Sequence, residues 1–446
     1  MYLGQIGSGK TLELRMLMRN VIGPMEWEGA LRTRVRALTF DPKGEDLWPS
    51  LRAWCPADYL VDLHAYSEDG VALHLGRSCL TLEDGEELGY ALIPKTKESH
   101  PFFNPAAQQL LQGVIHTFQL LGKEWTLSDA VIACTDERML RHVLDHHPRG
   151  KSILGSYLPS KVDASTNIVQ TLVVELGPWR MASLLERRSK HYVTIDGWLD
   201  SGGVLSLRGS SRNPSTIERW NAFVFKLVIS RLRDREGNYP TDETFVFVDE
   251  MPESVLADYK DALLLGRIKG VRTASTIQDP AGLVTRFGGR DQANEVLGQV
   301  GNLCVGRLAS PDAAEWMSGY FGKYQYWQRR WMEPGTVVGP NGPPGCDLRE
   351  EFNIYPYEFQ DFPKASLETG YKVVARVPIL PGWRMHVPRG FIRNMLGGDV
   401  PQESSRRRRA MGRDDLAFMW AAEDLERLGL RELPSGCGPR TSLRLP

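Results

Sequence analysis

Apolar positions recur at two spacings along this chain, and the switches between them outline its elements. Arg34 to Phe40 reads as a short apolar strand. It runs into Asp41-Pro42-Lys43-Gly44-Glu45, where Pro42 and Gly44 impose a loop. From about Leu80 the spacing becomes helical. Leu110, Leu111, Val114, Ile115, Phe118 and Leu121 share one face of a helix predicted over 104–121. Ser128 to His147 predicts one further helix, with Ser128 as N-cap and Pro148 beyond its end. Asn167 to Arg188 predicts another, interrupted at Gly177-Pro178. Residues 104–194 therefore read as an all-α region.

Strand patterns return at Gly203 to Leu207 and Phe245 to Val248, with an amphipathic helix, Ser215 to Arg235, between them. Arg272 to Ile277 and Leu303 to Leu308 read as short buried strands, and Tyr371 to Pro378 as a late one. Strands alternating with helices imply an α/β fold with a mainly parallel sheet, the all-α region being an insert. Glu333 to Cys346, rich in Gly and Pro, reads as a loop. From about Gln402 the chain reads as a polar tail carrying Arg406-Arg407-Arg408-Arg409.

Composition narrows the classes. A chain of 446 residues, 42% hydrophobic and 24% charged, is ordinary globular protein with room for two or three domains. The net charge of -1 gives no global pull toward nucleic acid, so any such surface must be local. The six cysteines are scattered, never C-x-x-C, which argues for free thiols in a reducing compartment and against a zinc ribbon. No signal peptide is evident, and Ala222 to Ser230, interrupted by Lys226, is too short to span a bilayer. The chain as given reads as soluble.

The chemistry begins almost at once. Gly4-Gln5-Ile6-Gly7-Ser8-Gly9-Lys10-Thr11 matches G-x-x-x-x-G-K-[ST] in full. Glycines let backbone N–H groups converge on phosphate oxygens. Lys10 supplies a point charge, the Thr11 hydroxyl can ligate Mg²⁺, and the helix that follows adds its positive end. Phe245-Val246-Phe247-Val248 is a buried strand ending in Asp249-Glu250. In a Walker-B arrangement Asp249 positions Mg²⁺ and Glu250 polarises the attacking water. The two motifs stand about 240 residues apart, and the helical insert accounts for the distance. Together they predict Mg-dependent hydrolysis of ATP or another nucleoside triphosphate. Arg267, in Leu265-Gly266-Arg267-Ile268-Lys269-Gly270, fits a finger at a subunit border. Gln278, at the tip of the next strand, fits a γ-phosphate sensor. On spacing alone, a solvated arginine and a strand-end glutamine are the preferred readings of these two.

A longer series of motifs resembles one family. Leu264 to Val271, then Ile277-Gln278-Asp279-Pro280-Ala281-Gly282-Leu283 and Phe287-Gly288, look like the type IV secretion coupling proteins, the TraD/TraG-like conjugation ATPases. Asp41 to Glu45, Ala91-Leu92-Ile93-Pro94, Pro101-Phe102-Phe103 with Ala106-Ala107, Asp249-Glu250-Met251-Pro252, Asn302 and Ser310-Pro311-Asp312 follow in the family's order, over roughly residues 1–390. The resemblance implies a RecA-like core in two parts, 1–103 and 195–390, around an all-α insert, 104–194, with 391–446 as the tail. It implies a homohexameric ring with ATP and Mg²⁺ between subunits and DNA in the channel. Relaxase and secretion-channel proteins would be partners at the cytoplasmic face of the bacterial inner membrane. Arg267 then becomes the finger in trans and Gln278 the sensor. Two departures stand out. The family's transmembrane helices are missing, and only Met1-Tyr2-Leu3 precede the P-loop, where a supporting strand is needed. A truncated chain is the expectation.

Other signals carry less. The pair His142/His146 has metal spacing but no third ligand, so a solvated or capping role is expected. Arg187, Arg188 and Lys190, and Arg231, Arg233 and Arg235, read as helix-end charges rather than phosphate contacts. The Arg406–Arg409 run reads as a solvated segment, and Trp327 and Trp331 as core or interface. Competing readings are another hexameric DNA translocase, of the segregation or packaging type, and a non-hydrolysing adaptor that recruits substrate.

Overall fold

The computed structural model describes residues 1–22, 36–44, 46–65, 71–94, 103–122, 124–158, 164–187, 189, 191–210, 213–235, 243–251, 256–329, 346–366, 370–377, 380–396, 419–431 and 433. The chain divides into two compact units. The first comprises Met1–Pro24, Val246–Leu256 and Arg272–Pro401. The second comprises Met25–Phe245, Ala257–Val271 and Gln402–Pro446.

In the first unit the strands lie in the order Leu380–Val387, Tyr371–Val377, Leu303–Val305, Tyr2–Leu3, Val271–Ile277, Thr244–Val248. Tyr2–Leu3 pairs in parallel on both sides, with Thr276-Ile277 and with Cys304-Val305. The strand expected to be missing before the P-loop is therefore present. It is only two residues long, but its neighbours satisfy its backbone on both edges, and Tyr2 and Leu3 are buried. Tyr371–Val377 pairs antiparallel with both of its neighbours, and Leu380–Val387 forms this edge of the sheet. The fold is α/β with a mixed, mostly parallel sheet, as the alternating pattern implies.

In the second unit, Gly203–Arg208 lies between Arg36–Asp41 and Leu60–Asp62, parallel to both. The loop after Asp41 forms as expected. The Asp41 carboxylate accepts N–H bonds from Gly44 (3.0 Å), Asp46 (3.1 Å) and Leu47 (2.9 Å); Glu45 lies outside the described residues. Six consecutive helices follow: Phe103–Leu120, Leu127–Ala133, Glu137–Leu144, Pro148–Tyr157, Ala164–Glu175 and Trp179–Arg187. The predicted face of the first is core, with Leu110, Leu111, Val114, Ile115 and Phe118 all fully buried.

The single helix expected over 128–147 is two helices. Thr126, not Ser128, is the N-cap of the first. The Thr126 hydroxyl accepts the Asp129 N–H at 3.3 Å, and Asp129 accepts the Thr126 N–H at 2.9 Å. Asp136 then caps a second start through the Met139 N–H. Pro148 opens the next helix at its first position, where its missing N–H costs nothing. The break at 176–178 falls where Gly177-Pro178 places it.

The stretch read as a polar tail contains a folded return. Trp420 is buried and Ala422–Leu428 is a helix. Arg427 makes a two-pronged ion pair with Asp129 (2.9 and 3.0 Å), and the Trp420 indole N–H donates to the same carboxylate at 3.0 Å. Arg187 grips Asp424 at 2.6 Å and the Met419 carbonyl at 2.8 Å. His142 and His146 are used here. The Arg431 carbonyl accepts from His142 Nε2, while His146 Nε2 accepts the Arg431 N–H. Arg406–Arg409, Arg188, Lys190, Trp331 and most of the 333–346 loop lie outside the described residues.

Candidate nucleotide-binding site

The site grows from the C-terminal ends of the central strands. Beyond Leu3 the loop continues both ladders for one residue each: the Gly4 N–H donates to Ile277 O at 3.1 Å and the Gln5 N–H to Arg307 O at 2.9 Å. The chain then turns over itself, with Gly7 and Gly9 at φ +78° and +93°, a region closed to most side chains. At Gly9 space also forbids a side chain, since a Cβ would stand 2.9 Å from the Tyr371 ring. Two bonds stiffen the turn: the Tyr2 hydroxyl donates to Ser8 O at 2.7 Å, and Ser8 N–H to Gln5 O at 3.1 Å. The helix Lys10–Ile22 starts there. Lys10 is 5% exposed, and its ammonium donates to Gln5 O at 3.2 Å. A buried ammonium at the head of the P-loop helix suits an anion such as a phosphate.

The strand Thr244–Val248 delivers Asp249 to the same place. The Thr11 hydroxyl meets the Asp249 carboxylate at 3.2 and 3.5 Å. A hydroxyl and a carboxylate this close at the start of a P-loop helix are the all-oxygen donors Mg²⁺ takes. Glu250 follows at φ +42°, one of two described non-glycine residues with positive φ. Backbone strain of this kind costs of order 1–3 kcal/mol and persists where surroundings impose it. Thr276 imposes it. Its hydroxyl accepts the Glu250 N–H at 2.8 Å and donates to Asp249 at 2.5 Å, and its carbonyl accepts the Met251 N–H at 3.1 Å. One threonine thus fixes the Asp249 carboxylate and the Glu250 backbone, and nothing in residue type or spacing singles it out. Thr276→Val, nearly isosteric, is expected to lower turnover at least about tenfold while nucleotide still binds, because orientation rather than binding is lost. Single-turnover hydrolysis beside equilibrium binding checks this.

Glu13 and Tyr371 were also invisible in the sequence. Burial pushes the Glu13 carboxyl up, against a hydrogen bond donated by the Tyr371 hydroxyl. Burial, and then the nearby Glu13, push the Tyr371 phenol up in turn. The pair ties the P-loop helix to the strand Tyr371–Val377.

The structure brings Gly4 to Thr11, Asp249 and Glu250 together. Gln278 is exposed and lines a recess with Gln5, Asp279 and Ser310. Arg267 lies on the helix Leu256–Lys269, in the second unit, and its side chain is outside the described residues.

This fold and loop define a P-loop nucleotide-binding core. The chain belongs to the type IV secretion-system coupling proteins: the family model for their DNA-binding domain matches residues 1–331. A comparison with curated protein sequences finds no match. Among solved structures, the unbound conjugative coupling protein TrwBdeltaN70 is similar at 17% identity and TM-score 0.60, over 91% of this chain and 86% of that one. TrwB in complex with the GTP analogue GDPNP (18% identity, TM-score 0.60) and with ADP and Mg²⁺ (18%, 0.59) match over the same shares. No helix among the described residues is long and apolar enough to cross a membrane.

Proposed function

We propose that this chain is an ATP-hydrolysing coupling protein that drives a DNA–relaxase substrate through a type IV secretion channel. The observation that carries the reading is the Thr11–Asp249 contact at 3.2 Å. It joins two motifs 238 residues apart into one metal and phosphate site. TrwB is described with ADP and Mg²⁺, and the residues here fit the same pair. Bound Mg²⁺ supplies charge neutralisation at the phosphate oxygens. Thr11 and Asp249 hold it. Gly4 to Gly9 present N–H groups to the phosphates, and Lys10 balances their charge. Glu250 orients the attacking water and accepts its proton. Gln278 senses the γ-phosphate, and Arg267 of one subunit neutralises transition-state charge at the next. The subunits form a homohexamer around DNA gripped through its phosphates. The helices within 104–194 face the relaxase, at the cytoplasmic side of the membrane.

The trans role of Arg267 has a sharp test. Arg267→Ala and Lys10→Ala should each be inactive alone, with Arg267→Ala still binding ATP. Mixing them should restore turnover, because about a quarter of interfaces in a random ring then pair an intact Lys10 with an intact Arg267. Phosphate release with and without single-stranded DNA is the measurement. A mixture as inactive as its parts, from variants shown to co-assemble, removes the trans finger. DNA-independent turnover removes the motor.

A further inference from the structure

The P-loop is held from outside by a segment far along the chain, and that segment brings a second cation. The Ala365 N–H donates to Gly7 O at 2.6 Å. Beside it, the Lys364 stem lies along the loop. A Cβ built on Gly7 would stand 3.8–4.0 Å from Lys364 Cβ, Cγ and Cδ. The segment is anchored on either side of this contact. Before it, Phe359 O accepts the Leu308 N–H at 3.1 Å; after it, the Tyr371 ring backs Gly9 and its hydroxyl donates to Glu13. Lys364 is exposed, and among the described residues no carboxylate pairs with its ammonium.

An exposed lysine is ordinarily just solvated. Two features set this one apart. Its backbone neighbour is hydrogen-bonded to the loop itself, so its stem starts at a fixed point rather than on a free surface. The stem also runs beside the loop whose N–H groups surround the phosphates, which puts the ammonium within reach of a bound polyanion. Lys10, the loop's own cation, is buried, while Lys364 is exposed on the outside of the loop. We infer that Lys364 is a second phosphate-binding residue, closing on the phosphate chain of a bound nucleoside triphosphate in cis. This rests on the nucleotide-hydrolysing reading above. It makes the segment before Tyr371 a part of the site that neither nucleotide motif contains.

The test is equilibrium binding of a fluorescent Mg–ATP analogue to the full chain at two salt concentrations. Wild type, Lys364→Met, Lys364→Arg and Lys10→Ala are compared, with melting temperatures alongside. Lys364→Met should melt with wild type, bind roughly tenfold more weakly and show a shallower salt dependence, because one charge-assisted contact is lost. Lys364→Arg should recover most of the affinity. If wild type binds and Lys364→Met binds equally well with the same salt slope, the inference is overturned while the function stands. Weakened binding that Lys364→Arg does not relieve marks a packing role and overturns it too. If wild type binds no nucleotide, the functional reading itself fails.

Discussion

Lys10→Ala is expected to abolish ATP turnover and to leave the chain folded. The ammonium is buried and bonded to Gln5 O, so it is a fixed cation of the loop. Removing a preorganised charge aimed at developing negative charge typically costs about 10²–10³ in rate, and the loss here should be at least that. The fold should tolerate the change. Alanine is the best helix former at the first residue of Lys10–Ile22, and losing a buried ammonium also removes its desolvation cost. The melting temperature without nucleotide should therefore stay level or rise, while the rise that Mg–ATP gives wild type should shrink. Lys10→Arg should not restore turnover. A planar guanidinium presents its donors in a fixed fork and does not fit a loop closed around a compact ammonium. Phosphate release and thermal melts, each with and without Mg–ATP, make the measurement. If Lys10→Ala hydrolyses like wild type, the chain is no P-loop motor and the adaptor reading gains.

The parts legible in the sequence are those whose chemistry is written in consecutive residues. The P-loop and the Val248-Asp249-Glu250 strand end each carry their function in a short string, so they can be read without knowing the fold. Thr276, Glu13 and Tyr371 act only because the sheet brings distant strands side by side, and no local pattern marks them. The Tyr2–Leu3 strand was misjudged for a related reason. Its existence depends on ladders from both neighbours, not on its own length. The helix expected over 128–147 failed differently. Apolar periodicity runs on through Cys134, but Asp136 offers its carboxylate to the Met139 N–H, and that local capping bond wins over continuation. The return at Trp420–Arg431 was hidden by composition. Its charged residues read as solvent-facing, whereas Arg427 and Asp424 face partners inside the second unit.

Arg427→Ala should be among the most destabilising single changes in the second unit. Asp129 is almost wholly buried, and its carboxylate also anchors the capping box of Leu127–Ala133 and takes the Trp420 indole N–H. Without Arg427 it becomes a buried charge with neutral donors only. Glu186 lies close by and accepts N–H bonds from Leu127 and Ser128; burial pushes its carboxyl up to about 8, and Asp129 adds to the push while Arg427 opposes it. Losing the cation thus also removes the charge that opposes the upward push on Glu186. Breaking a buried pair from one side costs about 3–5 kcal/mol, and the one-third exposure of Arg427 discounts this to about 2–3 kcal/mol. Urea unfolding should show the midpoint falling. Asp129→Asn in the Arg427→Ala background should return part of the loss, since the amide oxygen still accepts from Trp420 and no charge remains to desolvate. A double variant no more stable than Arg427→Ala alone would show that the helix Ala422–Leu428 is held by packing, not by this ion pair. That outcome would shift the weight to Trp420, whose ring stands 6.4 Å from that of Phe118.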